Sequence, residues 1–248
     1  MTVRLLAIDV DGTLANSKGN VSDYTRRVLH EAVDRGIYVV ISTGRSRSFL
    51  QCVADQVALN QPMICNNGAE IWKSCDELLT QRFMPLPVGQ KIVHILQRYG
   101  VEHMWGNCVD GDFTPEIFGE PLKNPPMKLG AFFDDDHQLE VVRNEIAQLP
   151  GISITSSDEL NIEMMQAGTS KASGLQLLAE SLGVSLKDAM CFGDSYNDLE
   201  MFDVCGTAVA MGNANEEVKK NATYVTATND EDGVARAIEK YVFNAQMI

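Results

Sequence analysis

Asp9-Val10-Asp11-Gly12-Thr13-Leu14 ends the first apolar run of this 248-residue chain with two acids two positions apart. In an extended chain, residues i and i+2 project to the same side, roughly 6.5–7 Å apart. Gly12 then lets the backbone turn away sharply. Two carboxylates aimed into one small space repel, and a divalent cation or a shared proton relieves the repulsion. One acid can stay ionised as metal ligand and nucleophile while the other is held protonated. The bland alternative is two unrelated acids at a strand end, one of them capping the next loop.

Three further clusters follow apolar runs. Ser42-Thr43-Gly44-Arg45 sets a hydroxyl and a glycine at the opening of a helix. Free backbone N–H groups and the helix dipole favour an anion there, although an ordinary N-cap with an exposed arginine has the same pattern. Thr169-Ser170-Lys171 places a lysine where it can neutralise a carboxylate and a phosphoryl oxygen together, or simply face solvent. Gly193-Asp194-Ser195-Tyr196-Asn197-Asp198 offers oxygen ligands that, with Asp9, suit a hard cation such as Mg²⁺; its plain reading is an acidic helix cap. Taken together, the four clusters are the equipment of phosphoryl transfer, where positioning and charge neutralisation supply most of the catalysis.

The elements around these clusters alternate. Strands are expected at Val3 to Ile8, Ile37 to Ile41, Met63 to Cys65, Ala69 to Trp72, Ala189 to Phe192, Thr207 to Ala210 and Thr223 to Val225. Helices are expected after Ser22, from Ser46 to Ala58, Ala172 to Leu182, Asp198 to Phe202, Glu216 to Lys220 and Asp232 to Phe243, with Asn66-Asn67-Gly68 as a tight turn. This alternation predicts an α/β fold with a doubly wound, mostly parallel sheet, whose ligand sits beyond the carboxyl ends of the strands. From about Phe83 the texture changes. A helix ending at Gly100 and a strand Val101 to Trp105 lead into some twenty irregular residues containing Pro115, Pro121, Pro125 and Pro126. Strand Lys128 to Phe133, a helix Asp136 to Leu149, and strands Ile152 to Thr155 and Asn161 to Met165 complete an inserted α/β unit.

The motifs Asp9-Val10-Asp11-Gly12-Thr13, Ser42-Thr43-Gly44-Arg45, Lys171 and Gly193-Asp194-x-x-Asn197-Asp198 resemble the four motifs of the haloacid dehalogenase superfamily. The tail, Ala208-Val209-Ala210-Met211-Gly212-Asn213-Ala214 through Asp232-Gly233-Val234-Ala235, is similar to the Cof-type branch, which carries a large α/β cap between the second and third motifs. The resemblance implies a Rossmann-like catalytic core over residues 1–82 and 164–248 and an inserted substrate-specificity cap over 83–163. It also implies a Mg²⁺-dependent phosphatase for a small phosphorylated metabolite such as a sugar phosphate. By that resemblance Asp9 attacks phosphorus. Asp11 protonates the leaving alkoxide, later activates water, and touches the metal through its backbone carbonyl. Mg²⁺ is held by Asp9 and Asp194, with Asp198 as a ligand or in support. Thr43, the Gly44 N–H, Lys171 and Asn197 hold phosphoryl oxygens, and Arg45 faces substrate or pairs with a carboxylate. Asn67 and Glu163 are candidates for contact with the organic part of the substrate; His103, Trp105 and the proline-rich loop are weaker ones.

Composition narrows the alternatives. Lys and Arg number 20 against 34 Asp and Glu, a formal charge of −14, so nucleic acid or an acidic membrane surface is a poor partner. No apolar stretch has the length of a membrane span or of a secretory signal, and a cytoplasmic protein is expected. Six scattered cysteines lack a C-x-x-C pair and read as core or surface residues. Asp134-Asp135-Asp136 reads as a helix N-cap rather than a metal site. A phosphomutase of the same fold remains open, as does a non-catalytic phospholigand-binding protein, against which the second acid, Asp11, argues. The substrate and the oligomeric state are not legible.

Overall fold

A computed structural model of the chain describes residues 2–58, 60–109, 111–113 and 122–244. The first half holds β1 (Leu5–Ile8), α1 (Asp23–Asp34), β2 (Tyr38–Ser42), α2 (Arg47–Val57), β3 (Met63–Cys65), β4 (Glu70–Trp72), β5 (Leu78–Gln81), α3 (Leu86–Arg98), β6 (His103–Cys108) and β7 (Gly111–Phe113). The second half holds β8 (Pro126–Phe132), α4 (Asp136–Ile146), β9 (Ile152–Thr155), β10 (Asn161–Gln166), α5 (Lys171–Leu182), β11 (Ala189–Gly193), α6 (Leu199–Val204), β12 (Thr207–Ala210), α7 (Glu216–Lys220), β13 (Tyr224–Val225) and α8 (Gly233–Ile238). Among the described residues no helix is long and apolar enough to cross a membrane.

The larger sheet has the order β13-β12-β11-β1-β2-β3-β4-β5, parallel from β13 to β3 and antiparallel thereafter. Its central strands are unbroken apolar runs because both faces are covered. Leu6, Ile8, Val39 and Ile41 pack against α1, α2 and α8, while Leu5, Ala7 and Val40 pack against α5 and α6. β1 lies between β11 and β2, so the connections leaving its two neighbours part at its carboxyl end. That is the switch point at which open α/β sheets leave a crevice for ligand, and Asp9 is the next residue.

The smaller sheet, β7-β6-β8-β10-β9, is antiparallel throughout. Alternation along its strands gives it two unlike faces. Met104, Leu129, Ala131, Ile162 and Met164 point into a core closed by α3 and α4. Trp105, Asn107, Lys128, Gly130, Phe132 and Glu163 occupy the opposite face, which looks toward the carboxyl ends of the larger sheet.

Several local expectations meet their physical cause. The Ser22 side chain accepts from the Thr25 N–H to start α1, and the Asp135 side chain accepts from the Gln138 N–H to start α4. At Asn66-Asn67-Gly68 the φ values are +51°, +52° and +96°, a left-handed run that Asn and Gly tolerate best. The structure differs where segments are short. β5 was unforeseen. The strand after Gly100 begins at His103 rather than Val101 and returns as the hairpin strand β7, so part of the expected irregular stretch is ladder; Pro115 and Pro121 lie outside the described residues. The last helix passes at Ile238 into a π-helical turn through Phe243. Cys65, Cys75, Cys108, Cys191 and Cys205 are free thiols, and the Cys52 side chain lies outside the described residues.

Candidate active site

At the carboxyl end of β1, Asp9 is 5% exposed and its Oδ1 accepts from the Lys171 Nζ at 2.6 Å. The ammonium also donates to Asp198 Oδ1 at 2.8 Å, and neither partner of that second bond is open to solvent. Lys171 opens α5, directly after Ser170, whose side chain and that of Ser173 form a reciprocal cap. Asp198 Oδ2 takes the backbone N–H groups of Asp194 and Ser195, which locks the turn after β11. Asp194 completes the group: one carboxylate oxygen from each of Asp9, Asp194 and Asp198 lies within 4.8 Å of the others.

Three carboxylates share one ammonium, and the charge balance shows in their acidities. Burial holds Asp9 well above the ordinary aspartate range, and Asp198 and Asp194 add to the rise while Lys171 opposes it. Burial, then Asp198, pushes Asp194 up to about 6. Burial alone would lower Lys171, but Asp198 and Asp9 outweigh it and hold the lysine above its usual value. Two glycines make room. A Cβ at Gly12, where φ is +76°, would stand 2.3 Å from Asp194 Oδ2, and one at Gly193 would stand 2.4 Å from the Asp198 carboxyl carbon.

Asp11 and Arg45 meet as a two-pronged pair, Nε to Oδ2 at 2.8 Å and Nη2 to Oδ1 at 2.5 Å. The Asp11 carboxylate therefore stands apart from the carboxylate cluster, and Arg45 takes the carboxylate-pairing option. Thr43 is buried and its Oγ1 accepts from the Arg45 N–H at 3.1 Å. Asn67 Nδ2 donates to Glu163 Oε2 at 2.5 Å, and Asn197 Nδ2 donates to Asn67 Oδ1 at 3.3 Å. A Cβ at Gly44 would lie 3.1 Å from Asn67 Oδ1 and 3.5 Å from Glu163 Oε2, so these groups surround the Gly44 backbone.

Sequence reasoning missed Lys128. It is 5% exposed, pairs with Glu163 Oε1 at 3.0 Å and donates to the Gly44 carbonyl, tying the smaller sheet to the loop after β2. A lone lysine inside the apolar run Met127-Lys128-Leu129 is the signal that was available. Asp112 and Asn107 were missed as well. Asp112 accepts from Ser46 Oγ at 2.9 Å and from Asn107 Nδ2 at 2.9 Å, and Asn66 Nδ2 donates to Asn107 Oδ1 at 3.2 Å. Between the two sheets lies a cavity of about 650 Å³, with Asp9, Asp11, Gly44, Asn197 and Glu163 in its wall.

A family model described as haloacid dehalogenase-like hydrolase matches residues 6–111 and 106–238. The chain belongs to the haloacid dehalogenase-like hydrolases. Among curated relatives, it is 36% identical over 240 residues to the 5-amino-6-(5-phospho-D-ribitylamino)uracil phosphatase YcsE of Bacillus subtilis, covering 97% of this chain and 96% of that one. YitU, a phosphatase of the same name from Bacillus subtilis, is 30% identical over 261 residues and covers 96% and 97% of the two chains. A solved haloacid dehalogenase-like hydrolase from B. subtilis superposes with a TM-score of 0.90 at 26% identity, over 97% of this chain and all of the other. This haloacid dehalogenase-like hydrolase is a phosphatase, with the α/β core of the Cof-type branch.

Proposed function

We propose that this phosphatase hydrolyses a small phosphorylated sugar or polyol with the help of Mg²⁺, through a phosphoenzyme on Asp9. The observation that carries the reading is the buried Lys171 ammonium bridging Asp9 and Asp198, with Asp194 close by. The substrate for which the two Bacillus relatives are named, with a phosphate at the end of a ribityl chain, supports this substrate class.

The residues fit a hard divalent cation. The donor set is all carboxylate oxygen, and one ammonium leaves two of three negative charges uncompensated. Both oxygens of Asp198 are already engaged, so Asp9 and Asp194 would be the ligands and Asp198 their support. When bound, the metal supplies charge stabilisation to the phosphoryl oxygens.

In the reaction we propose, an Asp9 carboxylate oxygen forms the bond to phosphorus as the ester oxygen leaves, and Asp11 gives that oxygen its proton. Water then attacks the phosphorus of the aspartyl phosphate, Asp11 takes its proton, and inorganic phosphate departs with Asp9 restored. Lys171, the Gly44 N–H, Thr43 and Asn197 would hold the phosphoryl oxygens. Asp11 must leave Arg45 to act, which makes Arg45 its resting partner. Residues 83–163 would act as a cap that closes the crevice against bulk water.

The test is phosphate release from a panel of sugar, polyol and aryl phosphates, with Mg²⁺ and with chelator. Wild-type protein is expected to release phosphate only with metal. Asp9→Asn, folded by circular dichroism, is expected to lose at least about 10³-fold in kcat. Release that persists in Asp9→Asn overturns the nucleophile assignment.

A further inference from the structure

The cavity changes character along β8. Lys128 is bonded to the Gly44 carbonyl, and Phe132, four residues on, stands roughly 13 Å further along the strand at 3.3 Å per residue. Between them lies Gly130, paired in register with Trp105 on one side and Glu163 on the other. A Cβ at Gly130 would stand 2.3 Å from both Cε2 and Cζ2 of the Trp105 indole and 2.8 Å from its Nε1. The φ of Gly130 does not fall in the left-handed region, so backbone conformation does not demand glycine there. Its missing side chain instead lets the indole lie against the backbone of the sheet. Trp105 is only half-buried and lines the cavity, and the ring centroid of Phe132 is 4.8 Å from its own. Phe132 is 44% and Phe49 64% exposed, and both line the same cavity.

The rest of the wall is polar. Asn107, Asp112 and Glu163 present donors and acceptors, and Asn66 Oδ1 is buried with no partner among the described residues. A phosphate held at Asp9 thus stands beside groups suited to hydroxyls, with a wall of aromatic faces beyond them. We infer that Trp105, seated on Gly130, is the specificity-determining residue, and that it stacks on a planar ring joined to the phosphate by a hydroxylated chain. The inference rests on the site proposed above and adds to it a ring-binding wall and the residue that forms it.

The experiment compares 5-amino-6-(5-phospho-D-ribitylamino)uracil with ribitol 5-phosphate, which has the chain and the phosphate but no ring. Wild-type, Trp105→Ala, Trp105→Phe and Gly130→Ala proteins are assayed with Mg²⁺. Trp105→Ala and Gly130→Ala are expected to lower kcat/KM about tenfold or more for the ring compound, chiefly through KM. Both are expected to stay within about twofold of wild type for ribitol 5-phosphate, and Trp105→Phe to recover most of the loss. Equal losses on both compounds, or no loss on either, overturn the inference.

A binding arm separates the two ideas. The chain has two tryptophans, so Trp72→Phe leaves Trp105 as the sole indole reporter. The ring compound is expected to quench it and ribitol 5-phosphate is not. Quenching without hydrolysis of either compound would sink the phosphatase site and spare the ring wall. Hydrolysis of the ring compound without quenching would do the reverse.

Discussion

At the scale of single residues the site is defined by crowding. Asp9 and Asp198 share one lysine with Asp194 close by, and burial, then the Asp198 charge, pushes Asp194 up to about 6 from 3.8. A carboxyl whose folded pKa lies above its unfolded value binds a proton in the folded state that the unfolded state has lost. Its contribution to stability is therefore present at low pH and disappears as pH rises between 3.8 and about 6. Asp9, raised for the same reason, acts in the same direction. In metal-free protein this contribution is expected to lower Tm as pH goes from 5 to 7. A divalent cation replaces the missing proton, so Mg²⁺ is expected to raise Tm more at pH 7 than at pH 5. Thermal melts of chelator-treated wild type and Asp194→Asn at both pH values check this. The variant is expected to lose most of the pH response and of the Mg²⁺ shift; an unchanged Mg²⁺ shift would remove Asp194 from the ligand set.

At the scale of elements, what matters is which strands lie side by side. Lys128 on β8 and Glu163 on β10 form a buried ion pair whose members also reach Gly44 and Asn67, in the loop after β2 and the turn after β3. Removing one member strands a charge away from water, so Lys128→Met or Glu163→Gln is expected to cost about 3–5 kcal/mol. The double variant Lys128→Met/Glu163→Gln is expected to cost less than the sum, because no lone charge remains. Urea unfolding of wild type and the three variants measures the coupling, and strict additivity would refute it. This pair also marks where sequence reading stops. Asp9, Asp194, Asp198 and Lys171 were legible because each follows an apolar run and recurs in a known motif order. The pairing of Lys128 with Glu163 depends on the antiparallel register of two strands 35 residues apart, which neither strand specifies alone. The parallel alignment of Ile8 with Ile41 brings Asp11 beside Arg45 in the same way, and the sequence left that arginine with two roles. β5 and β7 escaped notice because four and three residues of mixed polarity carry too little periodicity to distinguish strand from loop.

For the whole molecule, the question is how a protein of charge −14 captures an anion. The cations near the crevice do not make it positive. Lys171 faces Asp9 and Asp198, Arg45 faces Asp11, and Lys128 faces Glu163, so each is matched by at least one acid. Under the proposed function, attraction for phosphate would then come from a metal bound at the carboxylates at short range, while the long-range field repels. Repulsion between charges in solvent is screened within about 10 Å at 0.1 M salt and extends about 30 Å at 0.01 M. At saturating Mg²⁺, kcat/KM for a phosphorylated polyol is therefore expected to rise a few-fold as KCl goes from about 10 mM to about 100 mM. kcat is expected to change little, since a phosphate held at Asp9 would lie inside the cavity and feel ions in solution weakly. Initial rates across that series decide the matter. A fall in kcat/KM with salt would mean that the crevice is positive over distances longer than a contact. Recognition would then begin with electrostatic steering by the protein rather than with capture by metal, hydroxyl-binding groups and the aromatic wall.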